Sequence, residues 1–315
     1  MNTRGIKTII IILLCATNIF FAYNTLLLNR RIRYIPANMI ESAATILTAE
    51  HGIEISPQYI LARRPTHSIY EFIYSDENYD SIVRSFSAAT DEEIRNGRHR
   101  THDGGMAFNV GEYRFRFDDF MLIEIIRSDY WDGNAVEKMD MLAAYYTEFS
   151  DSESNRIGRI INDFLRRYQE QSPLTSFNII GLRHENGIDK ALINQTMDGL
   201  LISSHTALAV ISDSPYSDGG REVKYFSGRW YFGDFVDAHE TPLLDAVNIL
   251  FRSLEQDRAL FPKEGTRLVD MEKQFHIIPH QVNRFYLALS WVLSFDDGQS
   301  IRRFSYDMIT GNRNH

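Results

Sequence analysis

Apolar residues recur along this chain with two periods, and each switch between them marks an element. At helical spacing, Met39, Ile40, Ala43, Ala44 and Leu47 follow Pro36, and Gly52 stands where that helix should stop. A second helix, over residues 151–172, takes Ser152 or Ser154 as its N-cap. Ile157, Ile160, Ile161, Phe164, Leu165 and Tyr168 share one face, Arg166, Arg167 and Glu170 lie off it, and Pro173 ends it. A third helix is predicted from Thr241, with Pro242 at its first position and Leu243, Val247, Leu250, Phe251 and Leu254 on its buried face.

Elsewhere the period is 2. Strands are predicted over residues 69–74, 112–118, 120–126, 177–182, 207–211, 223–232, 285–295 and 301–306. Tyr113, Phe115 and Phe117 alternate with Arg114 and Arg116, so aromatics take one face and arginines the other. Asp297-Gly298, between the last two strands, signals a hairpin. The stretch 90–109, rich in charge and Gly, reads as an exposed, mobile loop. A few separate helices among hairpin-linked strands predict an α+β fold with antiparallel sheets.

One segment fits neither pattern. From Thr8 to Leu28 the chain runs for 21 residues without a charge. That is about 31 Å of helix, against a hydrocarbon thickness of about 30 Å. Lys7 flanks one end and Asn29, Arg30 and Arg31 the other. No small-residue cleavage site follows, and Leu14 is too bulky to precede a lipoprotein cysteine, so an uncleaved single span is predicted. Thr8, Ile11, Cys15, Asn18, Ala22 and Thr25 fall on one stripe of that helix. Small and polar residues let helices approach closely in lipid, which makes Cys15, Asn18, Ala22 and Thr25 the candidate partner-binding face. The expected order is then a tail at 1–7, a transmembrane helix at 8–28, an α+β domain at 30–150, a connecting helix at 151–172 and a second α+β domain at 173–315.

Composition adds a charge argument. The chain carries 33 Lys and Arg against 42 Asp and Glu, a net −9. Residues 1–33 hold Arg4, Lys7, Arg30, Arg31 and Arg33 with no acid, a balance of +5, so the remainder carries −14. A phosphate backbone is a poor partner for such a chain, and nucleic-acid binding is disfavoured. The charges on the two sides of the span nearly tie and do not orient it. Cys15 is the lone cysteine, so no intrachain disulfide can form.

Candidate chemistry is sparse. His99, His102 and Asp103 could ligate a metal, but no third distant ligand is indicated and solvated loop residues explain them. His276 and His280 are four apart with Pro279 between them, in a strand context, and lack the Glu of a zinc-protease helix. Ser203, Ser204 and His205 have no glycine elbow around the serines. Gly104, Gly105 and Gly111 lack the Lys and Ser/Thr of a phosphate loop. Asp118-Asp119 and Asp296-Asp297 read as turn residues. No catalytic, cofactor-binding or metal-ligating residue is expected, and no cofactor.

The last third nonetheless has a recognisable order: the helix from Thr241 to Glu255, then Val269–His276, then Ala288–Phe295 with Trp291 near its middle. Asp297-Gly298 and a final strand closing in Asp307, Thr310 and Gly311 complete it. This order resembles a PepSY-type unit. With the anchor, it is similar to the YycI/YycH group of bitopic accessory proteins of the WalK (YycG) sensor kinase. His51-Gly-Ile-Glu-Ile55 after the anchor and Gln195-Thr-Met-Asp-Gly199 before a strand agree, although Leu201 stands where that group often has Pro. The resemblance implies two PepSY/YycI-like domains behind the anchor, outside the cytoplasm, in a single-pass protein of the cell membrane. It implies a non-enzymatic regulator that binds a sensor histidine kinase, a YycH-like sister protein, or both.

The alternative is an extracytoplasmic protease modulator or cell-envelope ligand-binding protein, since PepSY-type units also occur as protease-inhibiting propeptides. A groove with exposed Tyr225, Trp230, Tyr231 and Phe232 would mark it, whereas core packing is the ordinary fate of such residues. Trp291 is expected to fill the space between helix and sheet, and Gly311 to supply a positive φ.

Overall fold

The computed structural model describes residues 18–21, 23, 34–62, 70–73, 76–102, 104–118, 122–130, 149–169, 176–213, 220–231, 234–236, 243–256, 265–281 and 284–314. In chain order the elements are α1 (Ala37–His51), β1 (Glu54–Ile55), β2 (Tyr70–Ile73), α2 (Asp76–Ser87), α3 (Asp91–Gly97), β3 (Arg98–Arg100) and β4 (Met106–Val110). Next come β5 (Tyr113–Phe117), β6 (Leu122–Arg127), α4 (Asp151–Gln169), β7 (Ser176–Glu185), β8 (Ile188–Met197), β9 (Leu200–Asp213) and β10 (Arg221–Arg229). The chain ends with β11 (Asp234–Val236), α5 (Ala246–Gln256), β12 (Arg267–Gln281), β13 (Arg284–Asp296) and β14 (Ile301–Asp307). The fold is α+β.

Contacts divide the chain into two compact units. One holds residues Ile69–His239 and Gln274–Ala288, the other Met1–Ser68, Glu240–Lys273 and Leu289–His315. This grouping differs from the sequential one expected around 151–172. Helix α4 lies within the first unit, because its apolar face completes that unit's core.

In that unit the strands run in the order β7-β8-β9-β10-β6-β5-β4-β3, each antiparallel to its neighbour. A parallel bridge, Phe275 to Ile202, adds β12 to β9 and makes the sheet mixed. Tyr113, Phe115 and Phe117 are buried while Arg114 and Arg116 are exposed, as the alternation predicts. Onto their face pack α2 and α4, with Phe86 4.7 Å from Phe164, and Phe164 5.6 Å from Phe226, centroid to centroid. Ile157, Ile161, Phe164 and Leu165 of α4 are all buried. The opposite face buries Ile126, Leu208, Val210 and Tyr225. Consecutive strand residues such as Tyr225 and Phe226 thus enter different clusters.

In the second unit β1 pairs parallel to β12, and β13 pairs antiparallel to β14. Trp291 is fully buried and its indole N–H donates to the Leu244 carbonyl at 3.0 Å. Asp307 closes the chain's last turn by accepting from the backbone N–H groups of Ile309 and Thr310. Gly311 follows at φ 72°, and a Cβ there would lie 2.6 Å from Arg252 Cδ. Both tail expectations hold.

The expectations for residues 90–109 and for the starts of two helices do not. Most of the stretch 90–109 is regular secondary structure: Thr90 and Glu93 form a reciprocal capping box for α3, and β3 and β4 follow, with Asp103 outside the described residues. Helix α5 starts at Ala246, where Asp245 accepts from Asn248 N at 3.0 Å, and Thr241 and Pro242 lie outside the described residues. Helix α4 is capped by Ser150, one turn earlier than Ser154. Among the described residues no helix is long and apolar enough to cross a membrane. Most of the predicted span, 8–17, 22 and 24–28, lies outside them.

Candidate functional site

Local rules place α4 and β7 side by side. Ser150 Oγ accepts from Glu153 N at 3.3 Å, and the Glu153 carboxylate accepts from Ser150 N at 3.1 Å, fixing where α4 begins. The Ser150 hydrogen bonds hold that carboxyl below its ordinary range. Two positive-φ turns shape the strands. Asn186 and Gly187, at φ 52° and 79°, turn β7 into β8; Asp198 and Gly199, at 50° and 76°, turn β8 into β9.

Because the apolar face of α4 enters the core, its neighbouring stripe faces outward. Ser154, Asn155, Gly158, Arg159 and Asn162 line one wall of an open groove of about 820 Å³, and residues 176–180 line the other. The helix wall offers hydroxyl, amide and guanidinium groups. Arg159 Nε donates to the Asn155 carbonyl at 3.3 Å, and among the described residues the guanidinium meets no carboxylate. Gly158 forms the floor, where a Cβ would meet only Ile179 Cδ1, at 3.9 Å. The strand wall is a sheet edge: among the described strands β7 pairs with β8 alone. Its register shifts between Ile179 and Gly181, leaving Ile180 in a bulge with 47% of its surface exposed.

Two ion clusters, built around the buried Asp189 and the buried pair Arg127 and Lys224, brace the same unit. Asp189, 5% exposed, accepts from Arg221 at 2.5 Å and Arg156 at 3.0 Å, and pairs with His184 Nδ1 at 2.6 Å. Burial alone would raise its carboxyl, but the His184 hydrogen bond and the two arginines outweigh it and hold the group below its ordinary range. Arg127 meets Glu222 at 2.6 Å and Glu112 at 2.9 Å, while Lys224 meets Asp129 at 2.6 Å and Glu222 at 2.7 Å. Asp129 is likewise held low: burial opposes ionisation, and the Lys224 hydrogen bond and Arg127 win. Burial, then the adjacent Glu124 carboxylate, pushes the Tyr225 phenol up to about 12. These charges pair mainly with one another, so they clamp strands and helix together.

Of the predicted partner-binding face, Asn18 is described: it is helical and exposed, as are Ile19, Phe20, Phe21 and Tyr23. Cys15, Ala22 and Thr25 lie outside the described residues. The aromatic groove does not form, because Tyr225, Trp230 and Tyr231 are buried at 4%, 0% and 2% exposure, and Phe232 is not described. His99 Nδ1 donates locally to the Gly97 carbonyl, 3.2 Å away. His276 is buried in β12, and among the described residues no three His, Cys, Asp or Glu side chains gather as a metal site. Asp118 and Asp297 accept from nearby backbone N–H groups, as turn residues do. The α4–β7 groove was not legible in the sequence. It depends on which edge of the sheet stays open, although Gly158 inside a strongly amphipathic helix was a visible oddity.

No family model matches the chain, and no curated protein matches it. Among solved structures, an uncharacterized protein from Eubacterium rectale is similar over 84% of this chain and 89% of its own, with a TM-score of 0.44 and 10% identity. The C-terminal domain of YpeB from Bacillus megaterium is similar over 78% of this chain and 97% of its own, with a TM-score of 0.30 and 12% identity. At these scores no activity, ligand or partner passes from either protein to this one.

Proposed function

We propose that this chain is a membrane-anchored, non-enzymatic binding protein whose ectodomain captures a segment of a cell-envelope protein in the α4–β7 groove. The observation that carries the reading is that open groove, of about 820 Å³ beside a sheet edge with no described partner strand. Its volume falls within the range of about 300–1,000 Å³ common to ligand sites. The anchor rests on the uncharged run from Thr8 to Leu28 and on Ile19, Phe20, Phe21 and Tyr23, which expose 59–70% of their surface. A protein fixed at the membrane meets envelope partners at raised effective concentration without any new contact. The PepSY-like order of the tail supports the modulator or ligand-binding role.

A second reading has its own support in Asn18, helical and exposed on the small and polar stripe. Here the anchor packs against the span of a sensor histidine kinase, or of a YycH-like sister protein, and the ectodomain adds a second contact. Both readings place the bulk of the chain outside the cytoplasm.

Photocrosslinking in native membranes tests them together. With photoreactive residues at Ile180 and Asn18 of the full chain, Ile180 is expected to capture an envelope protein and the chain to resist carbonate extraction. Capture of a kinase at Asn18 would make that kinase the partner. A chain released by carbonate, or one capturing nothing at either position, overturns the proposal.

A further inference from the structure

We infer that the groove takes its occupant by strand addition: an extended, carboxylate-bearing peptide segment of the partner pairs with residues 176–180 of β7. This deepens the groove reading above and rests on it. An edge strand presents every second backbone N–H and C=O outward, a row that water solvates and that another extended backbone can pair with along its length. Proteins normally blunt such edges. The other end of this sheet does so: β3 is three residues long and reads Arg98, His99, Arg100. By contrast β7 is ten residues long, and where it borders the groove it carries Phe177, Ile179 and Ile180 and no charge. An edge strand that no described strand pairs with, beside a cavity, is what a strand-accepting site requires.

The groove also fixes the length and chemistry of the occupant. Five strand residues span about 17 Å. The bulge at Ile180 then breaks the flat register, so the site suits a short segment better than the whole β7 of a second copy. Side chains on one face of the added strand would meet Ser154, Asn155 and Asn162, and a carboxylate among them would find Arg159, the one cationic lining residue. Gly158 keeps this space open. In a helix interior Gly costs about 0.5–1 kcal/mol relative to Ala. Nothing within the described structure demands it, since a Cβ would make only an ordinary contact. The cost is accounted for if the missing side chain is the occupant's space.

The test uses the full chain in detergent and a fluorescein-labelled six-residue peptide alternating Val and Thr with one central Glu. Two further versions carry N-methyl groups on alternate amides, one set on each edge of the extended peptide. Strand addition predicts that the parent binds, that one methylated version loses about tenfold or more in affinity, and that the other binds like the parent. Gly158→Leu is expected to lose affinity about tenfold with a thermal midpoint at or above that of the wild type, while Gly158→Ala raises the midpoint and binds less weakly than the Leu variant. Equal binding by both methylated versions, equal loss by both, no binding by the parent, or a folded Gly158→Leu variant that binds normally overturns strand addition. So does a dimer in sedimentation that Gly158→Leu dissolves, which assigns the edge to a second copy. Failure here with capture at Ile180 in membranes removes the pairing mode and leaves the groove; failure of both removes the groove as well.

Discussion

Trp291→Ala is expected to destabilise the chain by about 3–5 kcal/mol, the cost typical of deleting a buried aromatic. The indole is wholly enclosed, so its removal leaves a cavity and the loss is not recovered from solvent. It also holds two other groups: its N–H satisfies the Leu244 carbonyl, and its ring lies 5.2 Å from Lys273 Nζ. Trp291→Phe separates these roles. It keeps most of the packing but leaves the Leu244 carbonyl without its indole donor, at about 1–3 kcal/mol. Thermal melts of the full chain check the order, with the Ala variant lower by on the order of 10 °C and the Phe variant between it and wild type. Equal midpoints for all three would mean that Trp291 is not the keystone of its unit.

Asp189→Ala is expected to cost about 2–3 kcal/mol at neutral pH. Removing one partner of a buried ion pair typically costs 3–5 kcal/mol. That figure is reduced here because Arg156 and His184 remain substantially exposed and water screens them. The carboxyl is held below its ordinary value in the folded chain. Its stabilising contribution is therefore complete above the unfolded value of about 3.9 and is lost as pH falls through the folded one. Denaturant midpoints of wild type and Asp189→Asn should differ at pH 7 and converge below about pH 4. A gap that persists undiminished in acid would show that Asp189 acts through its shape and not its charge.

Periodicity carried much of this fold. The aromatic alternation of Tyr113 to Phe117, the apolar face of α4 and the Asp297-Gly298 hairpin read directly from the sequence, because each is set by residues a few positions apart. The misses have equally local causes. Asn186-Gly187 and Asp198-Gly199 are strong hairpin signals, and recognising both would have placed the whole of β8 between them. Thr90 to Glu93 is a capping box, so charge and glycine in the stretch that follows were a poor guide to its secondary structure. Tyr225, Trp230 and Tyr231 are buried, which is the core packing expected of such strand aromatics and not the exposed groove that would have marked the alternative. The groove lay further from reach. Its walls are about 20 residues apart in sequence, and its edge is open only because the chain turns β7 toward β8 and brings no described strand to the other side.

The central claim is that residues 176–180 form an edge held open for a partner. Hydrogen exchange of the backbone amides of β7, compared between the isolated full chain and the chain copurified from native membranes, tests it most directly. The expected result is fast exchange of the outward amides in the isolated chain and marked protection in the copurified complex, with β8 amides unchanged. Outward amides that exchange at the same rate in both preparations would contradict it.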